Sequence, residues 1–313
     1  MNIFDRVLDD LVIKFNRGSQ QEIIKPYEFY GYSEPQNILM KVNKGNFYVG
    51  QSFTPIKPGQ FYFIPASEPI YLRSGRAKDY TIFGQDGFPN YEESKKYHLR
   101  IQPGEDIENA KDVMSLLFFD VDIHSAFSLF SVMELPCITL PNDDILDFLV
   151  ENIIVEQGQD KIGSKQLIRN YIYEIIIQIC RFINSQDRFQ NKVEKLQLTA
   201  DKRLLDLLKY IKENLGSDLS NEILCNIVCV AKEYVGQFFK RLTGKNLQQY
   251  IELQRLEKAH ELLLTGAHNV QEVTFLVGFK DAAYFSKRFK AKYGINPINV
   301  KQTKSKDSSF FIA

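Results

Sequence analysis

Three groups of residues have types and spacings that could do chemistry. Asp120, Asp122 and His124 alternate in FFDVDIH, so on a strand they share one face opposite Phe119, Val121 and Ile123. Two carboxylates and an imidazole can ligate a metal, and the same alternation also makes a plain solvated face. Cys225 and Cys229 stand four apart, but two thiolates cannot close a zinc site and a helical pair at that spacing is awkward for a disulfide. They read as small buried side chains. His98, His124, His260 and His268 are the only histidines, so no multi-histidine metal site, cofactor or catalytic residue is assigned. The third group is KDAAYFSKRFK, residues 280–290. On a helix, Ala282, Phe285 and Phe289 can pack inward and leave Ala283, Ser286, Lys287 and Lys290 outside. That face is small, polar and basic enough for a DNA major groove of ~12 Å width, with Lys287 reaching guanine acceptors and Lys290 a phosphate.

The elements that must carry these groups change character along the chain. Up to about residue 135, short apolar runs (Asn37–Val42, Asn46–Phe53, Gln60–Ile64, Ile70–Arg73) alternate with turn signals at Gly45, Pro58-Gly59, Pro65 and Pro69, which predicts a small β-barrel or sandwich. The strand aromatics Tyr27, Phe29, Tyr30, Phe47, Tyr48, Phe61, Tyr62 and Phe63 read as core or as the lining of a small-molecule pocket. Helices are predicted over about 142–157, behind the capping run Asn142-Asp143-Asp144, and about 164–184. The second carries an apolar stripe broad enough to pack on its own domain and also to pair with a second copy. Residues 186–198 read as a linker. Beyond them every segment has a helical period.

The chain has 313 residues, 39 Lys+Arg and 39 Asp+Glu, and 44% hydrophobic residues, which fits two folded domains. A net charge of zero taken whole argues against a nucleic-acid partner. Divided, residues 1–198 carry −6, residues 199–301 carry +5 and residues 302–313 carry +1. The basic share lies on the helices. No export signal or membrane span is read, since Asp5, Asp9 and Asp10 interrupt the N-terminus and Glu174, Gln178 and Arg181 break the longest apolar stretch. The four cysteines read as reduced thiols in a cytoplasm.

Residues 270–292 form two helices around Val277-Gly278-Phe279, where Gly278 allows a tight reversal. A weaker copy precedes it at 220–241, with Phe238-Phe239-Lys240 aligned on Arg288-Phe289-Lys290 and Cys229-Val230 on Gly278-Phe279, a repeat of about 50 residues. Leu247 to Leu264 joins the copies. These blocks, above all TGKNLQQYIELQRLEKAHELLLTG and VGFKDAAYFSKRFKAKYGINP, resemble the DNA-binding domain of the AraC/XylS family of bacterial transcription regulators. Gly278, Phe279, Tyr284, Phe285, Phe289, Lys290, Gly294 and Pro297 follow that family's fingerprint. The segment from Pro58 to Pro65 loosely resembles the turn-then-strand of a cupin-like barrel.

The resemblance implies a multidomain fold: an N-terminal all-β cupin-like barrel followed by helices, then a C-terminal all-α double helix-turn-helix. The expected boundaries are a regulatory or dimerisation domain at 1–185 with strands to about 140, a linker at 186–198, the DNA-binding domain at 199–301 and a flexible tail at 302–313. Within the DNA-binding domain the first helix-turn-helix spans about 220–241, the joining helix about 247–264 and the second unit about 270–292. DNA contacts are expected from Lys232, Glu233, Gln237 and Lys240 in the first unit and from Lys280, Ala282, Ala283, Ser286, Lys287 and Lys290 in the second. The first unit departs from the family. Cys229 replaces the turn glycine, Ala231 removes a capping oxygen at about 1 kcal/mol, and Gly236 reads as mid-helix at about 1 kcal/mol more. It is therefore expected to bind weakly, with Glu233 able to accept from cytosine.

The implied function is a cytoplasmic, non-enzymatic transcription regulator acting on double-stranded promoter DNA. Its further implied partners are RNA polymerase, a small-molecule effector and a second copy of itself, with no membrane. The effector pocket is unassigned. The acidic part would control subunit pairing or mask the basic one, through an attraction that salt screens over ~8 Å. A cupin-type enzyme with a helical accessory domain, or a helical protein-binding adaptor, are the alternatives.

Overall fold

The computed structural model describes residues 3–9, 11–89, 91–124, 126–159, 161–196 and 201–300. The chain forms two compact units, Met1–Gln197 and Leu198–Ala313. The tail expected at 302–313 lies outside the described residues.

The first unit opens with helix α1 (Ile3–Leu8) and then runs through strands β1 (Leu11–Ile23), β2 (Tyr27–Ser33), β3 (Asn37–Lys44), β4 (Phe47–Val49), β5 (Thr54–Ile56), β6 (Phe61–Ile64), β7 (Pro69–Ser74) and β8 (Thr81–Phe83). Helix α2 (Tyr91–Ser94), strands β9 (His98–Ile101), β10 (Val113–Ile123) and β11 (Phe127–Ser128), helix α3 (Leu129–Val132) and strand β12 (Ile138–Leu140) follow. One sheet has the order β12-β6-β3-β10-β1-β9, with β11 on β10; the other has β5-β4-β7-β2-β8. Both are open, so among the described residues the strands make a sandwich with edges and not a closed barrel. Period-two alternation explains how it holds together. Ile38, Met40 and Val42 of β3 and Met114 and Phe118 of β10 meet Tyr27, Phe29, Phe47, Val49, Ile70 and Leu72 of the other sheet in one core.

The opposite face of the larger sheet is covered by α4 (Asp144–Gln157) and α5 (Ser164–Asn184), which pack on each other and on β1. Asp143 caps α4, accepting from the amides of Ile145 and Leu146. Lys41 of β3, almost fully buried, reaches Asp147 and Glu151 of α4 at 3.0 and 3.1 Å. Of the strand aromatics, Tyr27, Phe29, Phe47, Phe61, Tyr62 and Phe63 are core, whereas Tyr30 is 56% exposed. Asp120 accepts from Asn16 Nδ2 at 2.9 Å, and no group of three or more His, Cys, Asp or Glu among the described residues could hold a metal.

The stretch expected as a linker is packed up to residue 196. A 3₁₀ turn at Asp187–Phe189 leads into α6 (Gln190–Glu194), and Phe189, Val193 and Leu196 are buried. Three apolar residues scattered among polar ones are enough to dock a short segment against α5. No helix among the described residues is long and apolar enough to cross a membrane.

The second unit is helical throughout: α7 (Lys202–Glu213), α8 (Asn221–Val228), α9 (Val235–Thr243), α10 (Leu247–Thr265), α11 (Val270–Leu276) and α12 (Ala282–Tyr293). The repeat is visible in its punctuation. Both α9 and α12 end on a left-handed glycine, Gly244 and Gly294, and two residues later Asn246 and Asn296 stand at the N-caps of the next elements.

Candidate nucleic-acid interface

Each short helix pair packs on one half of α10. Near its start Tyr250 lies against Phe239 of α9, with ring centroids 5.2 Å apart. Further along, Leu256, Ala259 and Leu263 join Val273, Val277, Phe279, Phe285 and Phe289 in a single core. Helix α10 has 19 residues, about 28 Å at 1.5 Å per residue, against a DNA helical repeat of ~34 Å.

The second pair is well formed by local chemistry. Asn269 and Glu272 make a reciprocal capping box at the start of α11. Gly278 takes φ +85°, and a Cβ there would lie 2.4 Å from the Leu215 carbonyl oxygen and 2.8 Å from Arg255 Nη2. Asp281 caps α12, accepting from the Tyr284 amide at 2.6 Å. Helix α12 buries Phe285 and Phe289 and exposes Ala282, Ala283, Lys287 and Lys290, with Ser286 half-buried. Ala282, expected inward, is exposed because it occupies the first helical position, ahead of the turn that meets the core.

Side-chain bonds tie α12 to α10, among them one from Tyr293 Oη to the Leu256 carbonyl oxygen at 3.5 Å. Tyr284 Oη donates to Glu252 Oε2 at 2.5 Å, Arg288 Nε to Glu252 Oε1 at 2.6 Å, and Lys292 Nζ pairs with Glu257 Oε1 at 2.9 Å. The hydrogen bonds to Glu252 hold both the Tyr284 phenol and the Arg288 guanidinium above their ordinary pKa values. Lys280, Lys287 and Lys290 remain exposed without an ion-pair partner among the described residues. Arg288 and Lys292 are therefore neutralised within the unit, while Lys280, Lys287 and Lys290 present their charge to solvent.

The first pair is looser. Cys229, exposed and at φ +52°, occupies the left-handed position that Gly278 fills in the second pair. Because it terminates the helix, Cys229 is not the buried side chain its spacing suggested, and Cys225 is only half-buried. Lys232, Glu233 and Tyr234 form a turn, and α9 begins only at Val235 with no side-chain cap. Without a capping oxygen at Ala231 the first turn of the expected helix does not form. Gly236 is thus the second residue of α9 and not a mid-helix residue. Gln237 and Lys240 are exposed on α9, whereas Lys232 pairs with Glu222 at 2.9 Å. The structure therefore gathers the second unit's candidates on one helix, except Lys280 in the turn before it, and splits the first unit's between a turn and a helix.

Glu252, Arg255 and Glu257 were not among the sequence candidates. Their partners on α12 and in the loop before α8 lie 32 to 40 residues away, so no local spacing marks these contacts.

A helix-turn-helix domain family matches residues 224–303. The transposon Tn10 TetD protein of Escherichia coli is 30% identical over 129 residues, covering 39% of this chain and 94% of TetD. The chain belongs to the AraC/XylS family of bacterial transcription regulators. Regulatory protein PocR of Salmonella typhimurium is 24% identical over 151 residues, covering 47% of this chain and 50% of PocR. Apart from TetD, this AraC-family chain spans about a third to a half of the length of such curated relatives. A crystal structure described as a probable AraC family transcriptional regulator from Rhodopseudomonas palustris covers 33% of this chain and 97% of its own, at 22% identity and TM-score 0.31.

Proposed function

We propose that this AraC-family chain regulates transcription by laying two helix-turn-helix units into successive major-groove faces of promoter DNA, the second unit anchoring and the first adding a weaker contact. The observation that carries this is the outer face of α12, where Lys287 and Lys290 stand exposed while the neighbouring Arg288 and Lys292 are engaged by Glu252 and Glu257. Ala283, Ser286 and Lys287 read base edges, and Lys280 and Lys290 hold phosphates. Gln237 and Lys240 supply the first unit's contacts, with Ala282, Lys232 and Glu233 at the margins of the two faces. The protein acts by binding and not by catalysis.

The N-terminal sandwich, cupin-like in its Pro58-Gly59 turn before β6, serves as the effector-responsive or dimerising part, and a homodimer is the acting species. RNA polymerase and a small-molecule effector are its further partners. Selection of genomic fragments by the purified full-length chain at several salt concentrations tests the central claim. Enrichment of one site with two protected segments, and affinity falling steeply as salt rises, is the expected result. Recovery of no common site would overturn it.

A further inference from the structure

The two helix-turn-helix pairs meet at a junction that neither of them owns. Arg255, half-buried on α10, sends Nε to the Leu215 carbonyl oxygen at 2.9 Å and Nη2 to the Ser217 carbonyl oxygen at 2.9 Å. Leu215 and Ser217 belong to the loop that leads into α8, the first helix of the first pair. The turn of the second pair presses on the same place. A Cβ at Gly278 would strike the Leu215 carbonyl oxygen at 2.4 Å and Arg255 Nη2 at 2.8 Å, and a Cβ at Gly216 would strike the Leu276 carbonyl oxygen at 2.5 Å. Burial lowers the Arg255 pKa, with the nearby Asp218 acting against that shift.

We propose that Arg255 is a positioning residue for DNA binding: by clamping the loop before α8 against the turn of the second pair, it fixes the spacing and angle between the two recognition helices. The chemistry suits the task. A planar guanidinium delivers two parallel donors to two backbone carbonyls, which an ammonium cannot reproduce in that geometry. Two glycines let three backbone segments close around it. Because the acceptors are backbone carbonyls, the clamp does not depend on the side chains of Leu215 and Ser217, and it holds the loop directly to the helix that both pairs share. Two modules held rigidly act as one binding unit, and the second contact then adds affinity only on DNA of matching spacing.

The proposal rests on the two-unit DNA-binding reading, and the test separates the two. Affinities of the wild-type full-length chain, Arg255→Lys and Gly216→Ala are measured for the selected genomic fragment. They are measured again for the same fragment with about five base pairs, half a helical turn, inserted between the protected segments, and for a fragment holding only the segment bound by the second unit. Wild type is expected to lose about ten-fold or more on insertion, as expected when a linked contact is lost. Arg255→Lys is expected to bind the intact fragment several-fold more weakly, to bind the single segment as wild type does, and to lose most of the insertion penalty. Gly216→Ala, which pushes on the junction from the loop side, is expected to do the same, and circular dichroism melts identify a variant that has simply unfolded. A wild-type insertion penalty preserved in both folded variants, or an equal loss on the single segment, would overturn the assignment of Arg255. Failure of wild type to select any fragment would instead sink the DNA-binding reading and this inference with it.

Discussion

Glu252 and Arg288, 36 residues apart in the chain, are joined at 2.6 Å, and the same carboxylate also takes the hydroxyl of Tyr284. The middle of the second recognition helix is thereby fastened to the joining helix by one acidic side chain. Glu252→Gln should release Arg288 and leave α12 less firmly oriented. DNA affinity is expected to fall several-fold with little change in salt slope, because no phosphate contact is removed. A variant that binds with wild-type affinity would show that the apolar contacts of Phe285 and Phe289, with the Lys292–Glu257 pair, orient the helix without Glu252.

Lys287 and Gln237 occupy exposed positions on the two recognition helices. Lys287→Ala is expected to weaken binding to the selected site by roughly 1–3 kcal/mol and to relax one base position. Gln237→Ala should cost less, since α9 starts late and uncapped. A competition binding assay with point-substituted sites reads both effects, and a larger loss for Gln237 would reverse the ranking of the units.

Cys229 and Gly278 hold equivalent turn positions, at φ +52° and φ +85°. A non-glycine residue in that region is disfavoured by roughly 1–2 kcal/mol, so Cys229→Gly should stabilise the C-terminal unit by about 1 kcal/mol. Gly278→Ala should cost about 2–4 kcal/mol, because strain and the close Leu215 carbonyl act together. Denaturant melts of the two variants should move in opposite directions; movement in the same direction would contradict the shared role.

His98 donates from Nδ1 to the Ser94 carbonyl at 3.0 Å, and its Nε2 faces Tyr27 Oη at 2.9 Å, an arrangement that suits the neutral ring. Burial lowers its pKa from the ordinary 6.5, only partly offset by the Ser94 bond. A lowered histidine makes the unfolded chain the better proton acceptor as pH falls below about 6.5. The N-terminal unit should therefore lose stability from about pH 6.5 downward, until the folded-state pKa is passed. His98→Gln should flatten that slope. Coincident profiles of melting temperature against pH for the two proteins would rule His98 out.

The candidate interface was legible in part. Phe285, Phe289 and Gly278 announce themselves by helical spacing and by the need for a tight turn. The late start of α9 is half legible: the missing capping oxygen at Ala231 marks a weakened helix start but does not reveal a turn extending to Tyr234. A helical period alone does not say where the neighbouring core ends, which is why Ala282, expected inward, is exposed. Phe189, Val193 and Leu196 are not legible as core in the sequence, because three apolar residues in a polar stretch carry no period strong enough to signal packing.

By itself the sequence determined the local and repeating features: strands then helices, two helix-turn-helix pairs a repeat apart, and a basic share confined to the second part. These depend on side-chain period, capping and backbone freedom, which act over a few residues. Tertiary structure alone decided that the strands form two open sheets, that Glu252 and Glu257 occupy Arg288 and Lys292 while Lys287 and Lys290 stay exposed, and that Arg255 meets the carbonyls of Leu215 and Ser217. Such pairings join residues tens of positions apart, and only the packing of α10 between the two pairs brings them within hydrogen-bond range.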